Sequence, residues 1–341
     1  MALARLLGHG EGMAGSKSIA AVFLVASSAF FGFAEGIGVP DPASIEYPDG
    51  KPPSQAEVEL GKTLFFDNRL SMNRRQSCAS CHNPDLGFGD GMSKGHGTMG
   101  RGLDRNTPSI YNLAWNSVFF WDGRASSLEE QALGPIQSPG EMNMPIDSLL
   151  ARLKKVAYYK AAFERIYGRN GTTGENLGKA VAAFERTLIS KGSPFDKYMQ
   201  GDKSAMGPEA SRGMALFQGK AGCIACHSGP NFTDESFHNI GLGDGDVGRA
   251  KIMTGATLTG AFKTPGLRNV ALNPPYMHDG SEASLESVVR YYNKGGNTAE
   301  ARDKLIRPLK LNDAEVQELV SFLGSLTDPV KVVPPRIPKD D

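Results

Sequence analysis

Cys78-Ala79-Ser80-Cys81-His82 constrains this chain more than any other stretch. Two cysteines two residues apart, followed at once by histidine, form the attachment signature of a c-type haem. The thiols add to the haem vinyl groups, and the histidine becomes the proximal iron ligand. A second copy, Cys223-Ile224-Ala225-Cys226-His227, uses the other two of the four cysteines in the 341 residues. One motif alone would also fit a thioredoxin-like pair or half of a zinc site. Two copies, each with histidine in the fifth place and no cysteine left over, favour two covalently bound c-type haems. No thiol remains for a disulfide.

The length suggests about two domains, and 40% hydrophobic residues are enough for two cores. Lys+Arg and Asp+Glu are equal at 37 each. That balance argues against nucleic acid as a partner and against bulk attraction to a membrane. With 41 glycines and 21 prolines the fold should be rich in loops. Residues 1–34 read as a signal peptide. Lys17 supplies the positive charge, Ile19 to Phe33 is the apolar run, and Gly32-Phe33-Ala34 offers small residues for cleavage. The run is shorter than the about 20 residues of a membrane span, and an uncleaved anchor is the competing reading. A periplasmic location fits the cysteines, because c-type haem is attached outside the cytoplasm. No stable membrane insertion is expected once the signal is removed.

The mature chain repeats itself. Gly61, Leu64 and Phe65 precede the first haem motif as Gly213, Leu216 and Phe217 precede the second. Further on, one register relates Thr107-Pro108 to Thr264-Pro265, Asn112 to Asn269, Asn116 to Asn273, Trp121-Asp122-Gly123 to His278-Asp279-Gly280, and Leu128-Glu129 to Leu285-Glu286. We therefore expect an all-α fold of two tandem cytochrome-c-like domains, 35–200 and 201–341, with one haem each. Ser54 to Glu57 reads as a helix start. Apolar periodicity predicts helices over 147–167 and 175–189, and Asn312 with Glu315 reads as the cap pair of a last helix over 313–326. Ser193 to Pro208 reads as a linker, the tail from Asp328 as a surface segment, and no stretch alternates like a strand. Extended further, the register sets Tyr292 opposite Pro135. Tyrosine can ligate iron and proline cannot, so the second haem can be capped where the first stays open. A packed aromatic is the other reading of Tyr292, and Tyr291, Met253 and Met277 are rival candidates.

These pieces together resemble the bacterial di-haem cytochrome c peroxidase family, which includes the MauG-type enzymes. The resemblance rests on the two haem motifs, Arg105-Asn106-Thr107-Pro108, Phe120-Trp121-Asp122-Gly123-Arg124, Gln131, Glu141-Met142 and Tyr276-Met277-His278-Asp279-Gly280. It implies a peroxidase acting on hydrogen peroxide, with a peroxidatic N-terminal haem and an electron-handling C-terminal haem. It also implies that Glu141 moves protons, Gln131 holds peroxide or water, and Trp121 relays electrons between the haems. Tyr292 falls where the family places the second ligand of the C-terminal haem, methionine in ordinary peroxidases and tyrosine in the MauG type. Asn106, with the carbonyls of Asn273 and Pro275, would hold a calcium ion. The family usually has threonine at the Asn273 position, a change that a carbonyl ligand tolerates. Ordinary members cap the resting first haem with a histidine from the loop holding His96. MauG-type members lack it, so ligand and solvated loop residue both stay open for His96. Arg124 and Arg268 are candidates for haem propionates or for structural ion pairs. The MauG-type reading is oxidation of a residue, such as tryptophan, on a partner protein. The alternative is reduction of peroxide with electrons from a small cytochrome or cupredoxin. A non-catalytic electron carrier is a third, and Gln131 with Glu141 argue against it.

Two covalent haems per chain should be found by a pyridine haemochromogen assay combined with mass spectrometry of the denatured protein. One haem, or haem extracted by acid acetone, would refute the reading of the motifs.

Overall fold

Short polar residues start the helices. The side chains of Ser54, Ser127, Thr173, Ser193, Ser284 and Asn312 each accept a backbone N–H of a first turn, satisfying donors that have no partner within the helix. The protein is described by a computed structural model covering residues 36–340. The segment 1–34, read as a signal peptide, lies outside the described residues. The helices are α1 (Gln55–Phe65), α2 (Cys78–Cys81), α3 (Leu128–Gln137), α4 (Ile146–Leu153), α5 (Ala157–Tyr167), α6 (Gly174–Glu185), α7 (Pro194–Met199), α8 (Pro208–Gln218), α9 (Leu285–Lys294) and α10 (Asp313–Gly324). Strand is confined, among the described residues, to β1 (Phe237–His238) paired antiparallel with β2 (Phe262–Lys263) and to isolated bridges. None of the described helices is long and apolar enough to cross a membrane.

Among the described residues two large apolar cores form, beside a small third cluster of Phe119, Ala125, Leu128 and Ala182. In the first, Leu60, Leu64 and Phe65 of α1 meet Leu177, Val181 and Phe184 of α6. In the second, Phe217 of α8 meets Phe322 of α10, with Phe195 and Phe232 stacked edge to face around them. The crossings are built alike. A Cβ on Gly61 would collide with the Ala180 carbonyl, and one on Gly213 with the Glu318 carbonyl. Each pair of helices thus approaches to backbone contact at a glycine.

The repeat survives in backbone detail. Asn112 and Asn269 are both left-handed, at φ +58° and +60°. The bridges Phe119–Ala125 and Tyr276–Glu282 occupy matching positions. Helices α3 and α9 have matching limits after the caps Ser127 and Ser284.

Several expectations need correction. The helix over 147–167 is broken between α4 and α5, where Val156 is extended and turns its buried side chain into the core. The stretch taken as a linker contains α7, whose Phe195 is fully buried. The tail does not simply follow the surface. Val330 and Val332 pack on the first core, and Asp340 pairs with Arg69 at 2.6 Å. Apolar burial and ion pairing between distant segments override the local polar composition.

Gly61→Ala and Gly213→Ala should each destabilise the protein by about 1–3 kcal/mol or more, because the obstacle is backbone and cannot rotate away. Denaturant unfolding of each variant, with haem content verified, checks this. An unchanged midpoint would refute the contact.

Candidate haem-binding site

Each Cys-X-X-Cys-His stretch closes as one tight turn. The His82 N–H donates to the Cys78 carbonyl at 2.8 Å, and the His227 N–H to the Cys223 carbonyl at 2.9 Å. The two rings are then held the same way. His82 Nδ1 lies 3.0 Å from the Phe88 carbonyl oxygen, and His227 Nδ1 lies 2.9 Å from that of Phe232. Both phenylalanines carry positive φ, +61° and +57°, a costly conformation for a bulky residue. With Nδ1–H given to a carbonyl, Nε2 keeps its lone pair for a metal. Burial pushes the pKa of both imidazoles down, against the pull of these hydrogen bonds.

Three of the thiols are held away from the reactive thiolate form. Burial pushes Cys78 up, Cys81 up to about 11 and Cys223 up to about 12, whereas a reactive cysteine has a lowered pKa. None of the four is in a disulfide.

Both motifs wall one continuous cavity of about 1140 Å³, larger than the ~300–1,000 Å³ of a usual single-ligand pocket. Rings held through Nδ1, four cysteines outside any disulfide and this shared volume fit two attached haems.

The residues singled out from sequence line the same cavity: Gln131, Glu141, Trp121 and Tyr292, together with His96, Asn106, Asn273 and Pro275. Gln131 and Pro135 both sit on α3. Proline has no N–H, so the Gln131 carbonyl four residues back loses its helical donor. Glu141 is half-buried on the loop after α3, and its carbonyl accepts the Thr98 N–H at 2.7 Å. That contact sets the His96 loop against the Glu141 loop. His96 itself is exposed. Trp121 joins the two halves. Its Nε1–H donates to the Asn106 carbonyl at 2.9 Å, its own carbonyl accepts the Lys263 N–H at 2.8 Å, and its ring meets His278 edge-on at 6.3 Å. Tyr292 faces the cavity from α9, and burial pushes its phenol up. Tyr291 turns away and donates to the Ile240 carbonyl at 2.9 Å. Met253 is half exposed, while Met277 also lines the cavity. Asn106 is buried and donates through Nδ2 to the Met92 carbonyl at 2.9 Å.

The charged residues around these groups tie one half to the other. Arg105 forks onto Asp246 at 2.7 and 3.0 Å and reaches Asp122 at 2.7 Å. It holds the Asp246 carboxyl down to about 2. Arg124 pairs with the same Asp122 and lies over the Phe120 ring at 3.5 Å. Arg268 is buried and bonded to Asp196 at 2.9 Å, to Pro230 and to Gly38.

Sequence reasoning passed over two cavity residues. His238 lies between Asp234 at 2.9 Å and Asp303 at 2.6 Å beside Cys226. The Asp234 bond, then Cys226 and Asp303, raise it to about 11 against desolvation. Glu185 is buried at the end of α6. Its signal was in the sequence: Leu177, Val181 and Glu185 fall four apart, a carboxyl on an apolar stripe.

Comparison with known proteins agrees with this geometry. Residues 55–204 match the family model described as di-haem cytochrome c peroxidase. The chain is 45% identical over 302 residues to the methylamine utilization protein MauG of Methylorubrum extorquens, covering 87% of this chain and 86% of that one. It is 35% identical to cytochrome-c peroxidase IdrP1 of Denitromonas iodatirespirans, over 98% of both chains. Its fold matches the crystal structure of a MauG-like protein associated with microbial copper homeostasis. The TM-score is 0.78 at 32% identity, over 85% of this chain and 93% of that one. The chain therefore belongs to the di-haem cytochrome c peroxidase family, whose members are oxidoreductases acting on peroxide.

Proposed function

We propose that this is an exported, periplasmic peroxidase of the MauG type, carrying one haem in each half and using hydrogen peroxide to oxidise a residue, such as tryptophan, on a partner protein. The single observation that carries this reading is the asymmetry of matching helices: Pro135 on α3 and Tyr292 on α9 occupy the same register and line the same cavity. The haems, held through Cys78, Cys81 and His82 and through Cys223, Cys226 and His227, would supply the redox-active iron at which peroxide is cleaved.

The protein groups then have separable tasks. Proline at 135 offers no donor atom and leaves the first centre open to peroxide. Gln131 offers an amide to hold peroxide or water. Glu141 takes the proton from one peroxide oxygen and returns it to the leaving one. Trp121 spans the halves, its N–H held on a backbone carbonyl, which cannot take the proton as a base would. Tyr292 would give up its phenol proton on binding iron and offer a hard anionic oxygen to the second centre, which favours oxidised iron. Asn106 would bind calcium through Oδ1, since Nδ2 is committed to Met92, with the carbonyls of Asn273 and Pro275 beside it.

The closest competing activity is peroxide reduction fed by a small cytochrome or cupredoxin. One observation favours it: the His96 loop sits against the Glu141 loop at the cavity wall, from where His96 could cap the first centre.

Glu141→Gln should slow the reaction with peroxide by about 100- to 10,000-fold with both haems retained, the usual worth of acid–base assistance. Stopped-flow absorbance checks it, and an unchanged rate would remove Glu141 from the mechanism. Peroxide added to fully oxidised protein without a donor should give a long-lived spectral change that Tyr292→Met abolishes. A wild type inert until pre-reduced would instead assign the chain to the donor-fed peroxidases, with His96 as the cap.

A further inference from the structure

Glu185 is a buried carboxyl to which the peroxide chemistry gives no task. It is 5% exposed, it lines the haem cavity, and its Oε2 has no hydrogen-bond partner among the described residues. The adjacent cation is committed elsewhere: Arg186 makes both of its bonds to Glu129 on α3, at 2.6 and 3.1 Å. On the other side is α2, where the charge of Glu185 helps push the Cys78 thiol up after burial itself. The ionisable groups acting on Glu185 are thus Arg186, Glu129 and Cys78, and Cys78 ceases to ionise once it is a thioether. A buried carboxylate without a partner is costly, so the group keeps its proton instead. Burial pushes it up to about 8, with Arg186 drawing it down and Glu129 driving it further up.

We propose that Glu185 is the redox-linked proton site of the first haem, a neutral acid that gives up its proton when that haem loses an electron. The O–H bond breaks, its electron pair stays on the carboxylate, and the proton leaves to solvent. During turnover peroxide takes this electron together with a second one from the other haem, in the titration below the electrode takes it, and both steps reverse on reduction. The coupling is electrostatic. In a low-dielectric interior a negative charge near a haem joined at Cys78 would stabilise the more oxidised state, and that state would in turn stabilise the carboxylate. The inference needs a haem joined at Cys78 and is independent of which substrate the enzyme oxidises.

The experiment is spectroelectrochemical titration of the holoprotein between pH 6 and pH 9, with the haem of Cys78 and His82 resolved by absorbance and paramagnetic resonance. Its midpoint potential should fall as pH rises, approaching a tenfold change in the one-electron equilibrium, about 59 mV, for each pH unit where coupling is one to one. Glu185→Gln mimics the protonated form, should retain both haems, and should flatten this dependence. Glu185→Asp should restore part of it. Redox-difference infrared spectra of the wild type should show a protonated carboxyl band that Glu185→Gln removes. A pH-independent wild-type potential, or an unaltered slope in Glu185→Gln, would overturn the proposal. If that variant fails to bind haem, the absence of a redox-responsive carboxyl band in the wild type would overturn it equally.

Discussion

Two imidazole rings, each anchored by Nδ1 to a backbone carbonyl, are what the rest of this structure is arranged to hold. His82 and His227 present Nε2 to the same cavity because Phe88 and Phe232 take a left-handed backbone and offer their carbonyl oxygens at 3.0 and 2.9 Å. That conformation is expensive for phenylalanine. It persists because both rings are fully buried, Phe88 against Tyr111 and Phe232 within the aromatic cluster of Phe195, Phe217 and Phe322. Packing energy in each core is thereby converted into the orientation of a ligand. The glycine crossings of α1 on α6 and of α8 on α10 serve the same end, bringing helices to backbone contact beside each motif.

On this shared frame a few substitutions separate the halves chemically. The register places Gln131 against Val288, Pro135 against Tyr292 and Trp121 against His278, and all six line the cavity. The first half is thus polar where the second is apolar and lacks a donor where the second has a phenol. Where the first half has its indole, the second has an imidazole. His278 is stacked on Phe262 at 3.5 Å and bonded through Nε2 to Asp244 at 2.9 Å. A duplicated scaffold lets the two halves present different groups to the cavity without altering the helices that carry them.

The join between halves is ionic as well as aromatic. Asp122 is almost fully buried, and burial is the largest influence on it, yet Arg105 and Arg124 together hold its pKa down. A buried carboxylate paired with two guanidinium groups is stable only while both remain, so the loops of residues 105–124 and of Asp246 are locked together. Trp121 lies between Arg105 and Arg124 in that stretch and is held with them.

Much of the site was legible in the sequence because it is local or periodic. Cys-X-X-Cys-His is a covalent requirement met within five residues. The caps at Ser54 and Asn312 are met within four, and the repeat is a register that can be counted. Tyr292 could be nominated by that register, Gln131, Glu141 and Trp121 by resemblance, and all four line the cavity. What only the tertiary structure decided depends on residues far apart in the chain. Arg105 and Asp246 are 141 positions apart, and Arg69 and Asp340 are 271. No spacing rule connects such pairs, since ion pairing needs only proximity. Phe195 lay in a polar stretch, and the core claimed it because its ring gains more from burial than its neighbours lose. Glu185 stood on a helix stripe as a plain anomaly. Its meaning appeared only when the fold removed its water, directed Arg186 to Glu129, and left the carboxyl facing a cavity whose low dielectric makes its charge costly.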